Sequence, residues 1–402
     1  MQSQRRIPVF ISLCFLVITI FVFRNAVSED TAIEAQVEQE NEIKYWKEIP
    51  EIERNRTQIG KENACIYMLV RNSELHEALD SIRQIEDRFN RRYRYPWVFL
   101  NDDYFTEEFK KHTSGMVSGI AEYGHIDPEV WNVPKHIDMD LYEERLRYME
   151  EINVIYGGSR SYHNMCRYNS GNFFWHPLML KYRYYWRVEP SIKFYCDQRY
   201  DPFEFMRLND KLYGFVITIV EYKDTVPTLY KTVKEFLEKR PDLLHPDNGL
   251  IFATDMEPTF SWVDEKFVRE FSLDGYNMCH FWSNFEIGDM TFFRSEAYSA
   301  FFNHLEESGG FYYERWGDAP VHTFGVLSMM NASQIHHFSD MGYYHPPFWR
   351  CPHDKDSFES GRCLCPEADD NVDFAKYSCL AKWLRHFAKD MLFEMAPQSL
   401  FV

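Results

Sequence analysis

Short apolar segments alternate with amphipathic helical segments through the first half of this chain, and this alternation restricts the possible folds more than any other feature. Residues 64–70 (ACIYMLV) and 97–100 (WVFL) predict buried strands, and a third strand is expected over residues 116–122. Between the first two strands, a helix is expected over residues 73–89, because apolar side chains recur there at helical intervals: Leu75, Leu79, Ile82, Ile85 and Phe89. Strand–helix–strand alternation at this spacing predicts an α/β domain with a parallel sheet and crossover helices.

The same pattern continues toward the middle of the chain. Strands are expected over residues 184–188 and 212–220, and helices over residues 140–153 and 226–239. In open sheets of this kind, ligands bind at the carboxyl ends of the strands. The polar residues that follow the predicted strands, and that we expect near a ligand, are Arg71, Asp102, Asp103 and Glu189.

A run without charged side chains spans residues 7–23, and Arg5 and Arg6 precede it. At about 1.5 Å per residue, a helix of this length just spans a thin bilayer. The basic residues before it predict a cytosolic tail and a luminal remainder. A cleaved signal peptide is the alternative, but no small-x-small cleavage site follows residue 23. We therefore predict a signal anchor that holds the protein in the membrane.

This anchor divides the chain into four predicted parts. Residues 1–6 form the cytosolic tail and residues 7–23 the transmembrane anchor. Residues 24–60 are polar and acidic, which is typical of a luminal stem. Residues 61–402 are then the luminal catalytic domain.

Composition narrows the class of protein further. The chain has 45% hydrophobic residues, including 34 Phe, 26 Tyr and 10 Trp, which is ample for a buried core and excludes wholesale disorder. The net charge of −18 argues against nucleic acid as a partner, because such binding depends on basic surfaces.

Cysteine usage agrees with a luminal domain. Eight cysteines follow Cys14, which lies in the predicted anchor: Cys65, Cys166, Cys196, Cys279, Cys351, Cys363, Cys365 and Cys379. An even number in an oxidising compartment predicts disulfides, although their pairing cannot be read from sequence. A zinc site in the cluster that includes His353 is the alternative, but the spacing lacks a C-x-x-C pair.

Four side chains are candidates for chemistry. Glu189 ends an aromatic strand and precedes Pro190, a position that suits a hard cation bridging a diphosphate, although an ordinary strand-terminal Glu is commoner. Glu286 lies in the apolar segment WSNFEIGDM, so it is either exposed at a turn or functional. Asp318 is expected on a loop, and His345 is flanked by tyrosines and prolines that suit packing against a sugar ring. A lone histidine is more often structural than a ligand.

Two motifs are set aside. Asp138-Met139-Asp140 has the D-x-D form that binds metal in sugar-nucleotide enzymes, but it immediately precedes an amphipathic helix. An N-cap with a favourable helix-dipole interaction explains it better. Gly157-Gly158 is too short for a phosphate-binding loop, and the sequence contains no G-x-x-x-x-G-K-[ST].

Several aromatic-rich segments together resemble the fungal Golgi α-1,2-mannosyltransferase family. They occur in unbroken order between about residues 60 and 390: SYHNMCRYNSG (161–171), YYWRVEPSIKF (184–194), YDPFEFM (200–206), YGFVIT (213–218), NFEIGDMTFFRSEAY (284–298), FYYERWGDAPVHTFG (311–325) and GYYHPPFWRCP (342–352). The resemblance is specific because so many segments match in order.

The resemblance implies a GT-A-like mixed α/β fold in a Golgi membrane protein. It implies transfer of mannose from GDP-mannose to a mannose-terminated glycan, forming an α-1,2 linkage with retention of configuration. It also implies roles for individual residues: Glu189 and His345 as Mn²⁺ ligands, Glu286 as nucleophile or cation stabiliser, Tyr162 and Asp318 in the donor or acceptor pocket, and Arg71 as a nucleotide contact. Glu189-Pro190-Ser191 lacks the second acid of a D-x-D, and mixed oxygen and imidazole ligation remains acceptable to Mn²⁺.

The residues are also compatible with two other classes of protein. A luminal glycosidase would use Glu189 and Glu286 as a carboxylate pair and need neither metal nor nucleotide. A mannose-binding lectin would use the aromatic side chains to bind sugar without turnover. Whether a retaining transfer proceeds through a covalent intermediate or by front-face substitution is also open.

Overall fold

The structure is a computed structural model that describes residues 61–259, 263, 265–366 and 371–391. The predicted anchor and stem lie outside the described residues. Within the described ranges, no helix is both long enough and apolar enough to cross a membrane.

Twelve strands occur in the described residues. They are β1 (Ala64–Leu69), β2 (Trp97–Asn101), β3 (Ala121–His125), β4 (Tyr184–Arg187), β5 (Lys193–Phe194), β6 (Tyr213–Phe215), β7 (Thr218–Val220), β8 (Cys279–Phe281), β9 (Glu286–Asp289), β10 (Ile335–His337), β11 (Tyr343–His345) and β12 (Phe348–Arg350). Seven form a central sheet in the order β10-β6-β9-β4-β1-β2-β3, β12-β11-β5 form a second sheet, and β7-β8 a third.

Helices connect and cover these strands. Those of six or more residues within the described ranges are α1 (Leu75–Ile85), α2 (Glu107–Met116), α3 (Met139–Glu151), α4 (Arg160–Arg167), α5 (Pro202–Leu208), α6 (Leu229–Lys239), α7 (Glu265–Phe271), α8 (Glu296–Glu307), α9 (Asp318–Met329), α10 (Lys355–Ser360) and α11 (Leu380–Phe387). Shorter helical segments cover Arg91–Tyr93, Pro128–Trp131, Ile251–Thr254, Met290–Phe293 and Gly310–Tyr313.

The central sheet is mixed because one strand runs against the others. β1 pairs in parallel with β2 and β4, and β2 pairs in parallel with β3. β9 is antiparallel to both of its neighbours, β4 and β6. The fully parallel sheet expected from strand–helix alternation is therefore wrong, whereas the mixed α/β sheet implied by the family resemblance is confirmed. The reversed strand places Glu286, its first residue, opposite Arg187, the last residue of β4.

The strand predictions succeed where apolar side chains are continuous. β1 and β2 have buried residues along almost their whole length, which is typical of parallel strands covered on both faces. The third strand was expected over residues 116–122, but α2 extends to Met116 and β3 begins at Ala121. β3 (AEYGH) is an edge strand and carries little apolar signal.

The single strand expected over residues 212–220 is two strands. β6 belongs to the central sheet, whereas β7 pairs with β8 in the two-stranded sheet. Val216 and Ile217, which join them, are as buried as the strands themselves. Because burial is continuous across the junction, hydrophobicity does not mark the point at which the chain changes sheets.

Asp138 serves as a helix cap, as expected. Its side chain accepts hydrogen bonds from the backbone N–H groups of Asp140 (3.0 Å) and Leu141 (3.1 Å) at the start of α3. The D-x-D motif is therefore accounted for by local helix structure.

Three disulfides link distant segments of the described chain: Cys196–Cys363, Cys279–Cys379 and Cys351–Cys365. The prediction that most of the eight cysteines after Cys14 are disulfide-bonded is confirmed, and the zinc alternative is wrong because its cysteines are paired. Cys65 and Cys166 are buried free thiols. Burial raises the pKa of the Cys65 thiol, which disfavours thiol exchange.

The capping assignment predicts the effect of changing the D-x-D motif. Asp138→Ala is expected to lower the free energy of unfolding by about 1 kcal/mol through loss of the cap, with Mn²⁺ binding unchanged. Asp140→Ala is the matched control, because it removes only a helix-dipole interaction and is expected to cost less. Denaturant unfolding and metal titration test both variants. A weaker Mn²⁺ affinity in either variant would contradict the capping assignment.

The disulfide pattern predicts the result of peptide mapping. Digestion of the secreted domain without reductant is expected to yield the three cross-linked peptide pairs above, with Cys65 and Cys166 alkylated only after unfolding. Free Cys351 and Cys365 thiols in the folded protein would reopen the zinc hypothesis.

Candidate active site

A cleft of about 570 Å³ lies at the carboxyl ends of the parallel strands β1, β2 and β4. Its lining includes Arg71 after β1, Asp102 after β2 and Glu189 after β4, together with Tyr162 from α4 and His345 from β11. The rule that ligands bind at this edge of a sheet therefore locates the cleft correctly.

Asp103, the fourth residue expected at this edge, does not line the cleft. Its side chain is exposed and accepts a hydrogen bond from the backbone N–H of Tyr104 (2.7 Å). The carboxylate therefore stabilises its own turn, because consecutive residues after a strand point in different directions.

Arg187 connects the cleft to the carboxylates beneath it. Its Nε donates to Glu189 Oε1 (2.8 Å) and its Nη1 donates to Asp318 Oδ2. Nη1 also lies 3.8 Å from Glu286 Oε1. Although burial alone lowers it, the pKa of Arg187 is raised well above its ordinary value by Asp318, Glu189 and Glu286. One permanently charged guanidinium thus holds three acidic side chains.

Glu189 and His345 provide donor atoms that suit a divalent cation. Arg187 engages Oε1 of Glu189, and the Glu189 side chain is 26% exposed. His345 Nδ1 lies 3.0 Å from the Pro346 carbonyl oxygen, which only accepts hydrogen bonds. The proton is therefore on Nδ1, and Nε2 retains its lone pair. Burial lowers the pKa of His345, which favours the neutral imidazole that a metal requires.

Among the described residues, no group of three or more candidate metal ligands includes Glu189 and His345. In the described part of the chain, the one group of at least three candidate ligands is Cys196, Cys351 and Cys365, whose sulfurs are in disulfides. Glu189 and His345 together supply one oxygen and one nitrogen ligand type, which Mn²⁺ accepts, and phosphate oxygens would complete such a site.

Another part of the cleft lining is aromatic and cationic. The ring of Tyr162 stacks on that of Tyr156, with centroids 4.4 Å apart and planes 17° apart. The Arg315 guanidinium lies 5.5 Å from the centre of the Tyr162 ring. Arg71 is exposed and donates from Nη2 to Ser161 Oγ. The tyrosine rings can stack on a planar group of a ligand, and the arginine charge can bind an anionic group.

Asp318 is the first residue of α9, so its expected place on a loop is wrong. Pro320 resembled a loop signal, but proline is tolerated in the first turn of a helix because its N–H would be unpaired there. The carboxylate is 6% exposed and also accepts from Ser283 Oγ (2.7 Å). Burial opposes ionisation, but Arg187, His322 and Ser283 together lower the pKa of Asp318 below its ordinary value.

Glu286 has no exposed surface and does not line the cleft. Its Oε2 accepts hydrogen bonds from the Tyr213 hydroxyl (3.0 Å) and from His322 Nδ1 (2.9 Å). Among the described residues, no hydrogen-bond donor reaches its Oε1. Of the two alternatives for Glu286, exposure at a turn is therefore wrong.

His322 was not selected from sequence, yet it forms a proton-sharing pair with Glu286. Its Nε2 lies 2.9 Å from the backbone carbonyl oxygen of Asn169, so Nε2 must donate a proton. The hydrogen bond between Nδ1 and Glu286 then requires a second proton. Burial opposes protonation, but Glu286 and Asp318 raise the pKa of His322 above its ordinary value.

Two features of the sequence point to His322, Arg187 and Tyr213. His322 follows Asp318 by four positions, which places both on one face of a helix. Arg187, Tyr213 and His322 all lie inside segments that carry the family resemblance. Their roles depend on contacts between segments far apart in sequence, and no spacing rule reports such contacts.

A mixed α/β sheet with a metal-type ligand pair and a cationic aromatic wall at its carboxyl edge is the arrangement of a glycosyltransferase. Residues 23–387 match the family described as glycolipid 2-alpha-mannosyltransferase. The match covers well over half of the chain, so this protein belongs to that family.

Individual relatives agree. The chain is 50% identical over 329 residues to the probable mannosyltransferase YUR1 of Saccharomyces cerevisiae, covering 81% of this chain and 76% of the relative. It is 47% identical to the alpha-1,2 mannosyltransferase KTR1 of the same yeast, covering 80% and 78%. The crystal structure of core-mannan synthase A (CmsA/Ktr4) from Aspergillus fumigatus in its Mn/GDP form is 39% identical, with a TM-score of 0.75 over 83% of this chain and 87% of that one. The protein is an α-1,2-mannosyltransferase.

The His322–Glu286 pair predicts a pH-dependent contribution to stability. Because the folded-state pKa of His322 is raised above 6.5, its stabilising effect is full below that pH and is lost as pH rises through the folded-state pKa. The difference in unfolding free energy between wild type and His322→Gln is therefore expected to shrink as pH increases. Urea unfolding at a series of pH values measures it.

His163→Gln is the matched control for this experiment. His163 is equally buried, but burial lowers its pKa to about 4, so its difference from wild type is expected to grow as pH rises. If the two variants showed the same trend with pH, the protonated His322 pair would be contradicted.

Proposed function

We propose that this protein transfers mannose from GDP-mannose to a mannose-terminated N- or O-linked glycan, with retention of configuration and with a divalent metal, in the Golgi lumen. The observation that carries the proposal is that one cleft brings together Glu189, His345, Arg71 and Tyr162. These are a pair of metal-type ligands, a cation and an aromatic ring, which are the groups a sugar nucleotide needs. The Aspergillus relative was solved with Mn and GDP.

Different parts of the cleft lining take different parts of the donor. The Tyr162–Tyr156 stack presents a ring face to the guanine base, and Arg71 lies near enough to that stack, through Ser161, to contact phosphate. Glu189 and His345 hold the metal. A bound divalent cation neutralises the charge that develops on the departing diphosphate. This arrangement is the basis for assigning a GT-A-like donor site.

Arg187 positions the metal-binding side of the cleft. It fixes Oε1 of Glu189 by two contacts, from Nε at 2.8 Å and from Nη2 at 2.6 Å. A carboxylate held in this way loses little conformational freedom on binding a ligand, which is how a second layer of contacts supports a metal site. Arg187 also keeps Asp318 ionised beneath the cleft.

Glu286 supplies negative charge beneath the anomeric carbon. The carbon becomes oxocarbenium-like as the diphosphate leaves, and a preorganised carboxylate in a dry environment stabilises such a cation. Its complete burial favours this electrostatic role over direct attack, because an attacking oxygen must be accessible to the sugar. Tyr213 and His322 fix its Oε2 and leave Oε1 the freer oxygen.

The alternatives from sequence have less support. A glycosidase would need Glu189 and Glu286 on opposite sides of a bound sugar, but Glu286 is fully buried and does not line the cleft. A lectin would not need the buried cluster of Arg187, Asp318 and Glu286, because burying charged groups costs free energy of folding and sugar binding alone does not require it. Membership in a transferase family argues against both.

The Golgi location rests on residues outside the described ranges and on the cysteines. The apolar run over residues 7–23 and the acidic stretch after it are typical of a single-pass type II membrane enzyme. Three disulfides agree with a luminal catalytic domain, because they persist in oxidising compartments.

The assigned roles predict that His345 and Glu286 fail differently. His345→Ala removes one metal ligand, so activity is expected to fall and to recover in part at high Mn²⁺, because a weakened site still fills by mass action. Glu286→Gln keeps size and removes charge, so turnover is expected to fall about a hundredfold or more, or roughly 3 kcal/mol of barrier, at every Mn²⁺ concentration. Steady-state kinetics with GDP-mannose across a Mn²⁺ series measure both.

The control variant is His136→Ala, because His136 is exposed and lies outside the cleft. It should match wild type in turnover and Mn²⁺ dependence. Rescue of Glu286→Gln by Mn²⁺, or weak donor binding by it with normal turnover, would show that the two roles are wrongly assigned.

A further inference from the structure

A second cleft, of about 630 Å³, lies beside the first. Its lining includes Tyr104 and His125, which follow β2 and end β3, and Tyr168, Asn172 and Trp175, which follow α4. The volume falls within the range of roughly 300–1,000 Å³ that is typical of small-molecule sites. The donor-site residues Arg71, Tyr162, Glu189 and His345 do not line it.

The two clefts share a wall. Trp131 lines the first cleft, and its ring centroid is 5.6 Å from that of Tyr168, which lines the second. The strand register also places Asn101 of the first cleft opposite His125 of the second. The two clefts are therefore neighbours at the edge of the sheet, as a ligand made of several linked units requires.

Two residues that line the second cleft have buried hydrogen-bonding groups without partners in the described part of the chain. They are the hydroxyl of Tyr168 and the amide nitrogen of Asn172. Tyr168 is 1% exposed, and burial raises its pKa, so its hydroxyl keeps the proton and can donate. A buried polar group without a partner costs stability. A ligand hydroxyl that pairs with these groups would form hydrogen bonds that the free protein lacks.

Exposed aromatic rings stand at the edge of the same cleft. Trp175 is 50% exposed and Tyr104 is 73% exposed. The Tyr104 ring is stacked on His125, with centroids 4.2 Å apart and planes 11° apart, so it forms a rigid flat surface. Flat aromatic surfaces beside fixed hydrogen-bond donors suit a pyranose, which has an apolar C–H face and a rim of hydroxyls.

The charge of the lining excludes an anionic ligand. Among the described residues, no Lys or Arg lines the second cleft, and Asp127 contributes a carboxylate. His176 also lines it, and burial lowers the pKa of that imidazole, so it is neutral. A phosphate or a nucleotide would meet no compensating charge there, whereas a neutral saccharide needs none.

We propose that the second cleft binds a neutral pyranose of the acceptor glycan, at a position removed from the mannose that receives the transfer. This inference rests on the proposed function, because it assigns part of the acceptor to that enzyme. It gives the protein a preference for acceptors of several sugar residues over a single mannoside, with Trp175 and Tyr104 as the ring surfaces and Tyr168 and Asn172 as the donors.

Tyr168→Phe is the most discriminating variant. It removes only the hydroxyl and keeps the ring packed against Trp131. The melting temperature is expected to stay the same or rise slightly, because an unpartnered buried group is lost. The KM for an α-linked mannotriose is expected to rise about threefold to tenfold, with kcat, the KM for methyl α-mannoside and the KM for GDP-mannose unchanged.

Trp175→Ala is the second variant, and Tyr148→Ala is its control. Tyr148 is 46% exposed on α3 and lines neither cleft. Trp175→Ala is expected to weaken the binding of mannotriose by about threefold to tenfold and to leave the KM for methyl α-mannoside and for GDP-mannose unchanged. Tyr148→Ala is expected to leave all of these constants at wild-type values. Calorimetric titration of mannotriose into enzyme without donor measures binding independently of catalysis.

These measurements separate failure of the inference from failure of the proposed function. If wild type transferred no mannose, the calorimetric comparison would still test the cleft. Unchanged mannotriose affinity in both Tyr168→Phe and Trp175→Ala would overturn the inference. So would an equal loss for methyl α-mannoside and mannotriose, which would indicate a distorted active site. Weaker calorimetric binding with an unchanged mannotriose KM would assign the cleft to a saccharide other than the acceptor and would also overturn it.

Discussion

The charge of Arg187 is the interaction on which the site depends. A buried guanidinium is costly alone, and so are the two buried carboxylates of Asp318 and Glu286, so these charges stabilise one another. The contacts with Glu189, Asp318 and Glu286 join β4, α9 and β9, three elements far apart in the chain. Because these groups need one another, the cluster fixes the relative positions of the elements that form the active cleft.

The reversed strand makes this cluster possible. In a sheet of only parallel strands, the first residue of β9 would lie at the opposite edge from the end of β4. Antiparallel pairing brings Glu286 opposite Arg187 instead. Six strands of the central sheet end and one begins at the edge where ligands bind, so a carboxylate from the start of a strand joins groups from the ends of others. The one reversed strand, β9, thus brings a carboxylate into contact range of the Arg187 guanidinium.

Local patterns in the sequence were sufficient for several elements in the first half of the chain and for much of the cleft. The apolar runs of β1 and β2 and the cap at Asp138 follow from properties of adjacent residues, and the structure confirms them. The edge strand β3 and the break between β6 and β7 were misplaced, because their positions depend on neighbours in the sheet. The family resemblance selected Glu189 and His345, which share the cleft. Periodicity alone identifies neither Arg187 as the common partner nor His322 as the proton-sharing one.

Helix α9 carries Asp318 and His322 and is buried along nearly its entire length. A Cβ atom added at Gly325 on this helix would lie 2.5 Å from the Tyr298 ring, so even a methyl group there would force the helix to move. The same rigid body therefore serves as core and as support for the charged cluster. Sequence variation on α9 is therefore expected to be narrower than on exposed elements, because the helix both fills the core and carries Asp318 and His322.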